Sequence, residues 1–351
     1  MRRLRGDPAP RHLRPTAHLP RVWRPVLPAR LSAPALAASS TRQPLRPTSL
    51  AMKAPLILLL ALTLTALPVR AANATSVPPL VEPGWLADRL DAPRLAIIEM
   101  SNETSYTFDG HIPGARFTTK SAWREQNDDG TLIRLPVDTL EGRFRELGVN
   151  DGDGVVIYYK GNDRDEVLGA YYLFWLLHYL GHTNVGMLDG GWHGWQQANG
   201  PVSDEGGAAE SGDFVARPLP ALEISTEELD AIREHYPVID GRPARHFSGE
   251  DKFPANPRHG RIPDTISQPW ADFLRTADDG TIYTERTDLA PFFVEHGIDP
   301  STPMLITCLG GTGAAIDYAM FYSLGYRNMR VHDAGLREWN VRDLPLITPD
   351  D

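Results

Sequence analysis

Short apolar runs of strand length alternate with helical patterns over residues 80–345, and they do so twice. Residues 155–159 (VVIYY) match 304–308 (MLITC), and both are rich in β-forming side chains. Each run precedes a loop and a helical segment, residues 169–180 (GAYYLFWLLHYL) in the first copy and 314–324 in the second. Gly181-His182 and Gly325-Tyr326 then end the two helices as short turns. Eight residues beyond each glycine stands an aspartate, Asp189 and Asp333. The chain continues as DGGWHGW (189–195) and DAGLREW (333–339), so Trp195 and Trp339 are equivalent. Upstream, 95–99 (LAIIE) parallels 237–240 (PVID), and 111–115 (HIPGA) parallels 261–265 (RIPDT).

Buried-type strands that alternate with helices predict an α/β fold with a mainly parallel sheet flanked by helices. Because the pattern repeats, the chain reads as two tandem units of this kind, at about 75–205 and 218–351. Between them residues 199–213 (NGPVSDEGGAAESGD) are polar and glycine-rich, which predicts an exposed linker centred on 206–217.

Composition separates the N-terminal end from the rest. Residues 1–51 are rich in Arg, Pro, Ala and Ser, with Asp7 their only acid. Residues 52–74 (MKAPLILLLALTLTALPVRAANA) combine Met52, Lys53, a short apolar core and a small-x-small pattern at Ala72 and Ala74. That order of parts is a secretory signal peptide, with 1–51 as a disordered upstream extension of the reading frame. It predicts an exported, periplasmic protein with no stable membrane span after cleavage, the apolar core being short for a span. The rival reading is an organelle transit peptide, which is also Arg-rich and acid-poor. Residues 75–351 hold 23 of the 35 Lys and Arg and 44 of the 45 Asp and Glu, a formal net charge of −21. A surface so acidic argues against nucleic acid or anionic membranes as partners.

Cys308 is the only cysteine of the 351 residues, so no internal disulfide holds the fold. It falls between the apolar run 304–307 and the helical pattern from Ala314, and it opens a glycine-rich loop, CLGGTG. A thiol at a helix start meets unpaired backbone N–H groups and the positive end of the helix dipole. Both favour thiolate, the nucleophilic form, below the ordinary thiol pKa of ~8.5. The competing reading is a small apolar residue at a strand end. In the first copy Tyr159 stands where Cys308 stands, before a longer loop carrying Lys160, Asp163, Arg164, Asp165 and Glu166. Only the second copy therefore has a nucleophile, and a duplicated pair with one decayed site suits an enzyme.

These residues resemble a tandem-domain sulfurtransferase of the rhodanese family over essentially all of 80–345. The features that carry the resemblance are the 111–115 motif, Asp189-Gly-Gly-Trp192, Asp240-Gly-Arg242, and the 308–313 loop followed by Ala314. The resemblance implies that Cys308 takes a sulfur from thiosulfate or 3-mercaptopyruvate, holds it as a persulfide, and passes it to cyanide or a thiol. It implies that the backbone of Leu309, Gly310, Gly311, Thr312, Gly313 and Ala314 stabilises thiolate and persulfide. Arg242, Arg245 and His246 are the implied contacts for the donor anion, with His111 as a further candidate for the cleft. Members that use thiosulfate often carry Arg and Lys after the cysteine, where this chain has Leu309 and Gly310. Members that use mercaptopyruvate usually carry Gly-Ser-Gly, and Gly310 replaces that serine. The neutral loop thus fits neither pattern and leans toward a mercaptopyruvate-like donor. A non-catalytic sulfur carrier or binding module is the alternative reading.

Other motifs point to structure. Asp189 and Asp333 precede glycine or alanine in turns and read as braces. Trp192, Trp195 and Trp339 read as packing residues. His178 and His182 lie four apart, but no further ligands or cysteine pair support a metal, and no cofactor is expected. A cysteine phosphatase needs an arginine six residues after its nucleophile, and that position is Ala314.

Overall fold

The computed structural model describes residues 74–349 apart from 207–209, 255 and 257. The leader-like residues 52–73 and the extension before them lie outside the described residues. Thirteen strands are formed among the described residues. In the first copy they are β1 (Leu80–Val81), β2 (Leu95–Met100), β3 (Arg116–Thr118), β4 (Arg124–Gln126), β5 (Leu132–Arg134), β6 (Gly154–Tyr159) and β7 (Val185–Leu188). In the second they are β8 (Val238–Asp240), β9 (Thr265–Ser267), β10 (Leu274–Thr276), β11 (Ile282–Thr284), β12 (Met304–Thr307) and β13 (Met329–Val331).

The strands build two main sheets, ordered β1-β7-β6-β2-β3 and β13-β12-β8-β9. Every pairing within them is parallel. The fold is therefore two α/β units in tandem, each a parallel sheet with helices against it. Each unit also carries a small antiparallel hairpin, β4-β5 and β10-β11. The repeat extends to single hydrogen bonds: Trp195 Nε1 donates to the Pro201 carbonyl and Trp339 Nε1 to that of Pro345, both at 2.9 Å.

The helix Arg164–Tyr179 is buried over nearly its whole length, because it lies between its own sheet and the helix Thr312–Ser323 of the other unit. His178 sits in that seam, its Nδ1 3.0 Å from the Tyr318 hydroxyl. Burial drives its pKa down to about 3, so it is neutral. Residues from both units share one continuous apolar core there. The join between units is less free than its composition implies. Phe214 is fully buried, its ring 5.0 Å from Phe144, and Arg217 and Leu219 donate backbone hydrogen bonds to the end of the first unit's long helix. Among the described residues no helix is long and apolar enough to cross a membrane.

Candidate active site

β12 ends at Thr307, and the helix Thr312–Ser323 begins five residues later, so Cys308 opens the connecting loop. Two glycines allow the loop its shape. Gly311 has φ +79°, and a Cβ there would lie 2.3 Å from Asp333 Oδ1. A Cβ on Gly313 would lie 2.4 Å from the Trp270 ring, which covers the helix start. The loop carbonyls are held from the following turn, where Leu336 N–H donates to Cys308 O at 2.8 Å and Arg337 N–H to Leu309 O at 3.1 Å.

The thiol is 3 % exposed and faces a cavity of about 410 Å³, a size suited to a small ligand. The cavity is cationic. Lys120, Arg124, Arg164, Arg242, Arg258 and Arg337 line it, against Asp165 and Asp251. Such a lining attracts small anions.

The resting thiol departs from the sequence expectation. Burial pushes its pKa up; the backbone N–H groups of Ala314 and Gly310 pull it down, and Asp240 and Asp317 add to the rise. The net effect favours thiol. Within the expected cradle from Leu309 to Ala314, the Ala314 and Gly310 amides act on the sulfur, while the Thr312 N–H donates to the Gly310 carbonyl at 3.0 Å. Helix-end donors do meet the sulfur, but removal of most of its water outweighs them.

The four donor contacts expected from sequence fare differently. Arg242 lines the cavity, yet its guanidinium is committed. Nε and Nη2 bind Asp240, with the shortest contact 2.7 Å, while Nη1 donates to the His246 and Gly260 carbonyls at 3.0 Å each. Its main work is a buried ion pair that ties the β8 end to the segment beyond it. His246 does line the cavity, with Nδ1 3.2 Å from the Asp251 carbonyl and its ring against Phe253. Arg245 points away to solvent and pairs with Glu250 and Asp251. His111 is buried inside the first unit, stacked on Tyr106 at 4.0 Å, with Nδ1 3.1 Å from the Tyr106 carbonyl. It is not part of the cavity lining.

Arg124 is the residue that sequence reasoning missed. It enters the site from the β4-β5 hairpin of the other unit. Nη1 donates to the Gly310 carbonyl at 2.5 Å, and Nη2 donates to Asp333 Oδ1 at 3.0 Å. Tyr172 donates to the same Oδ1 at 2.9 Å, and the Arg134 N–H to Oδ2 at 2.8 Å. Burial opposes the charge of Arg124, but Asp333, Tyr172 and the Cys308 sulfur sustain it, and its pKa stays above the ordinary value. Asp333 is thus a brace, as its turn position suggests, but between units. Its counterpart Asp189 meets Arg286 of the second unit at 2.9 Å. The β10-β11 hairpin likewise reaches the first unit, where Ile282 N–H donates to Gly161 O and Thr284 N–H to the Tyr159 hydroxyl. The signal for these exchanged hairpins was present as Asp-Asp-Gly-Thr at 128–131 and again at 278–281.

Buried behind the loop is Asp317, whose carboxylate oxygens have no hydrogen-bond partner among the described residues. Burial raises its pKa well above the usual range, and Asp240 and Asp272 add to the effect. Among the described residues no group of His, Cys, Asp and Glu is arranged to hold a metal ion.

Residues 82–198 match the rhodanese-like domain. The 3-mercaptopyruvate sulfurtransferase of Escherichia coli is 29% identical over 277 residues, covering 75% of this chain and 95% of that protein. The thiosulfate sulfurtransferase of Azotobacter vinelandii is 27% identical, covering 77% and 97%. The crystal structure of the Escherichia coli 3-mercaptopyruvate enzyme superposes with a TM-score of 0.62 at 25% identity, covering 74% of this chain and 99% of that one. The chain belongs to the rhodanese-fold sulfurtransferase family. It is a sulfurtransferase, and sulfur transfer runs through an active-site cysteine. Cys308 is the sole cysteine of the chain. Small-molecule donors and acceptors suit the scale of the cavity.

Proposed function

We propose that this sulfurtransferase moves a sulfane sulfur from a small anionic donor, thiosulfate or 3-mercaptopyruvate, to cyanide or a thiol through a persulfide on Cys308. The observation that carries the reading is a single enclosed thiol facing a cavity lined by six cationic side chains. The anionic donor enters this field, and Cys308 gives up its proton to water. The thiolate attacks the donor's transferable sulfur while the bond from that sulfur to the rest of the donor breaks. The electron pair of that bond leaves with sulfite or with the carbon of pyruvate, which then takes up a proton. The Gly310 and Ala314 amides then hold the sulfur-borne charge. The acceptor removes the sulfur in a second displacement, which makes the kinetics ping-pong. We place this activity in the periplasm, on the support of the leader-like residues 52–74.

Mass spectrometry of the intact protein after exposure to thiosulfate, and separately to 3-mercaptopyruvate, tests the proposal. One added sulfur on the Cys308 peptide is expected, together with repeated release of sulfite or pyruvate once an acceptor is present. Cys308→Ser is expected to take up none and to remain folded. Turnover retained in that variant would refute the assignment.

A further inference from the structure

Four of the six cations that line the cavity have carboxylate partners: Lys120 with Asp165, Arg124 with Asp333, Arg242 with Asp240 and Arg258 with Asp343. Arg164 is unpaired among the described residues but exposed at the rim. Arg337 differs from all of these. It is half-buried, and its side chain makes no hydrogen bond or ion pair among the described residues. Its stem nevertheless runs beside the loop after Cys308. Its backbone N–H donates to Leu309 O at 3.1 Å, and a Cβ added to Gly310 would lie 3.7 Å from Arg337 Cδ and 3.9 Å from Nε. The guanidinium stem therefore lies along the nucleophile's own loop, where Leu309 and Gly310 supply no charge.

We propose that Arg337 is the residue that binds the donor's anionic group, and that it selects donors whose leaving group departs as an oxyanion, of the thiosulfate or S-sulfonate class. The inference rests on the proposed persulfide function. In the donor step the Cys308 thiolate forms an S–S bond to the outer sulfur while the S–SO₃ bond breaks. The electron pair leaves with sulfite, and a persulfide anion remains on Cys308. Charge grows on the departing sulfite, and a planar guanidinium meets it with two parallel N–H groups. Pyruvate as leaving group needs the donor's thiol proton delivered to carbon. A guanidinium that never deprotonates cannot deliver it.

Ping-pong kinetics separate the two half-reactions, so the test is kcat/KM for donor and acceptor measured independently in wild type and Arg337→Gln. Because Arg337 makes no side-chain bond in the fold, the variant is expected to keep the wild-type melting temperature. The expected result is a fall of about tenfold or more in kcat/KM for thiosulfate, the size of a lost charge-assisted contact. The value for cyanide stays unchanged. Unchanged thiosulfate kinetics, or equal losses in both half-reactions, would overturn the role of Arg337. A wild-type kcat/KM higher for 3-mercaptopyruvate than for thiosulfate would overturn the donor selection. If wild type takes sulfur from neither donor, the proposed function itself falls, and this inference with it.

Discussion

Arg124 and Asp333 meet at 3.0 Å, from opposite units of the chain, with 5 % and 3 % of their side chains exposed. The pair fixes the loop that follows Cys308, because the same guanidinium also holds the Gly310 carbonyl. Removal of one partner leaves the other charge buried without its counterion. Arg124→Met is expected to cost about 3 kcal/mol of stability in chemical denaturation. It is also expected to slow sulfur uptake by Cys308. A variant as stable as wild type would show the pair to be dispensable.

Arg242 is expected to act mainly through Asp240. Arg242→Ala strips a buried carboxylate of its partner and frees the His246 and Gly260 carbonyls. The expected loss is again about 3 kcal/mol, visible as a lower urea midpoint. A folded variant of wild-type stability, altered only in donor KM, would instead assign Arg242 to donor binding.

The Cys308 thiol is expected to titrate above the ~8.5 of a free thiol, because burial outweighs its two amide donors. The deprotonated form is reactive, so alkylation by iodoacetamide in the absence of donor should rise with pH through a midpoint higher than that. A midpoint below neutrality would mean that the amides win after all.

Asp317 gives stability a pH dependence of opposite sign to that of a salt-bridged carboxylate. Its folded pKa is raised, so the folded chain keeps a proton that the unfolded chain releases above about pH 4. Its contribution to stability is therefore largest at and below that pH and declines as pH rises toward the folded pKa. Asp317→Asn removes the titration, and its melting temperature should gain on wild type as pH increases from 4 to 8. Parallel curves for the two proteins would exclude the effect.

The tandem α/β organisation was legible in sequence because buried parallel strands are continuous apolar runs, and a duplication prints the same run twice. Cys308 was legible because the chain holds no second cysteine and because glycines follow it. The three-residue strands of the hairpins gave no comparable periodicity, although their Asp-Asp-Gly-Thr turns repeat. For His111 and Arg245 the sequence offers motif position alone. One is buried in the wrong unit, and the other is turned to solvent beside two acids.

What the chain determined by itself was the order of its elements and the place of its single thiol at a strand-to-helix loop, since both follow from local pattern and residue chemistry. Tertiary structure alone decided which cations face the sulfur. Arg124 and Gly310 are 186 residues apart, and only the exchange of hairpins between units brings them together. It also decided the protonation of Cys308, because a helix start favours an anion locally while enclosure from water is a property of the whole fold.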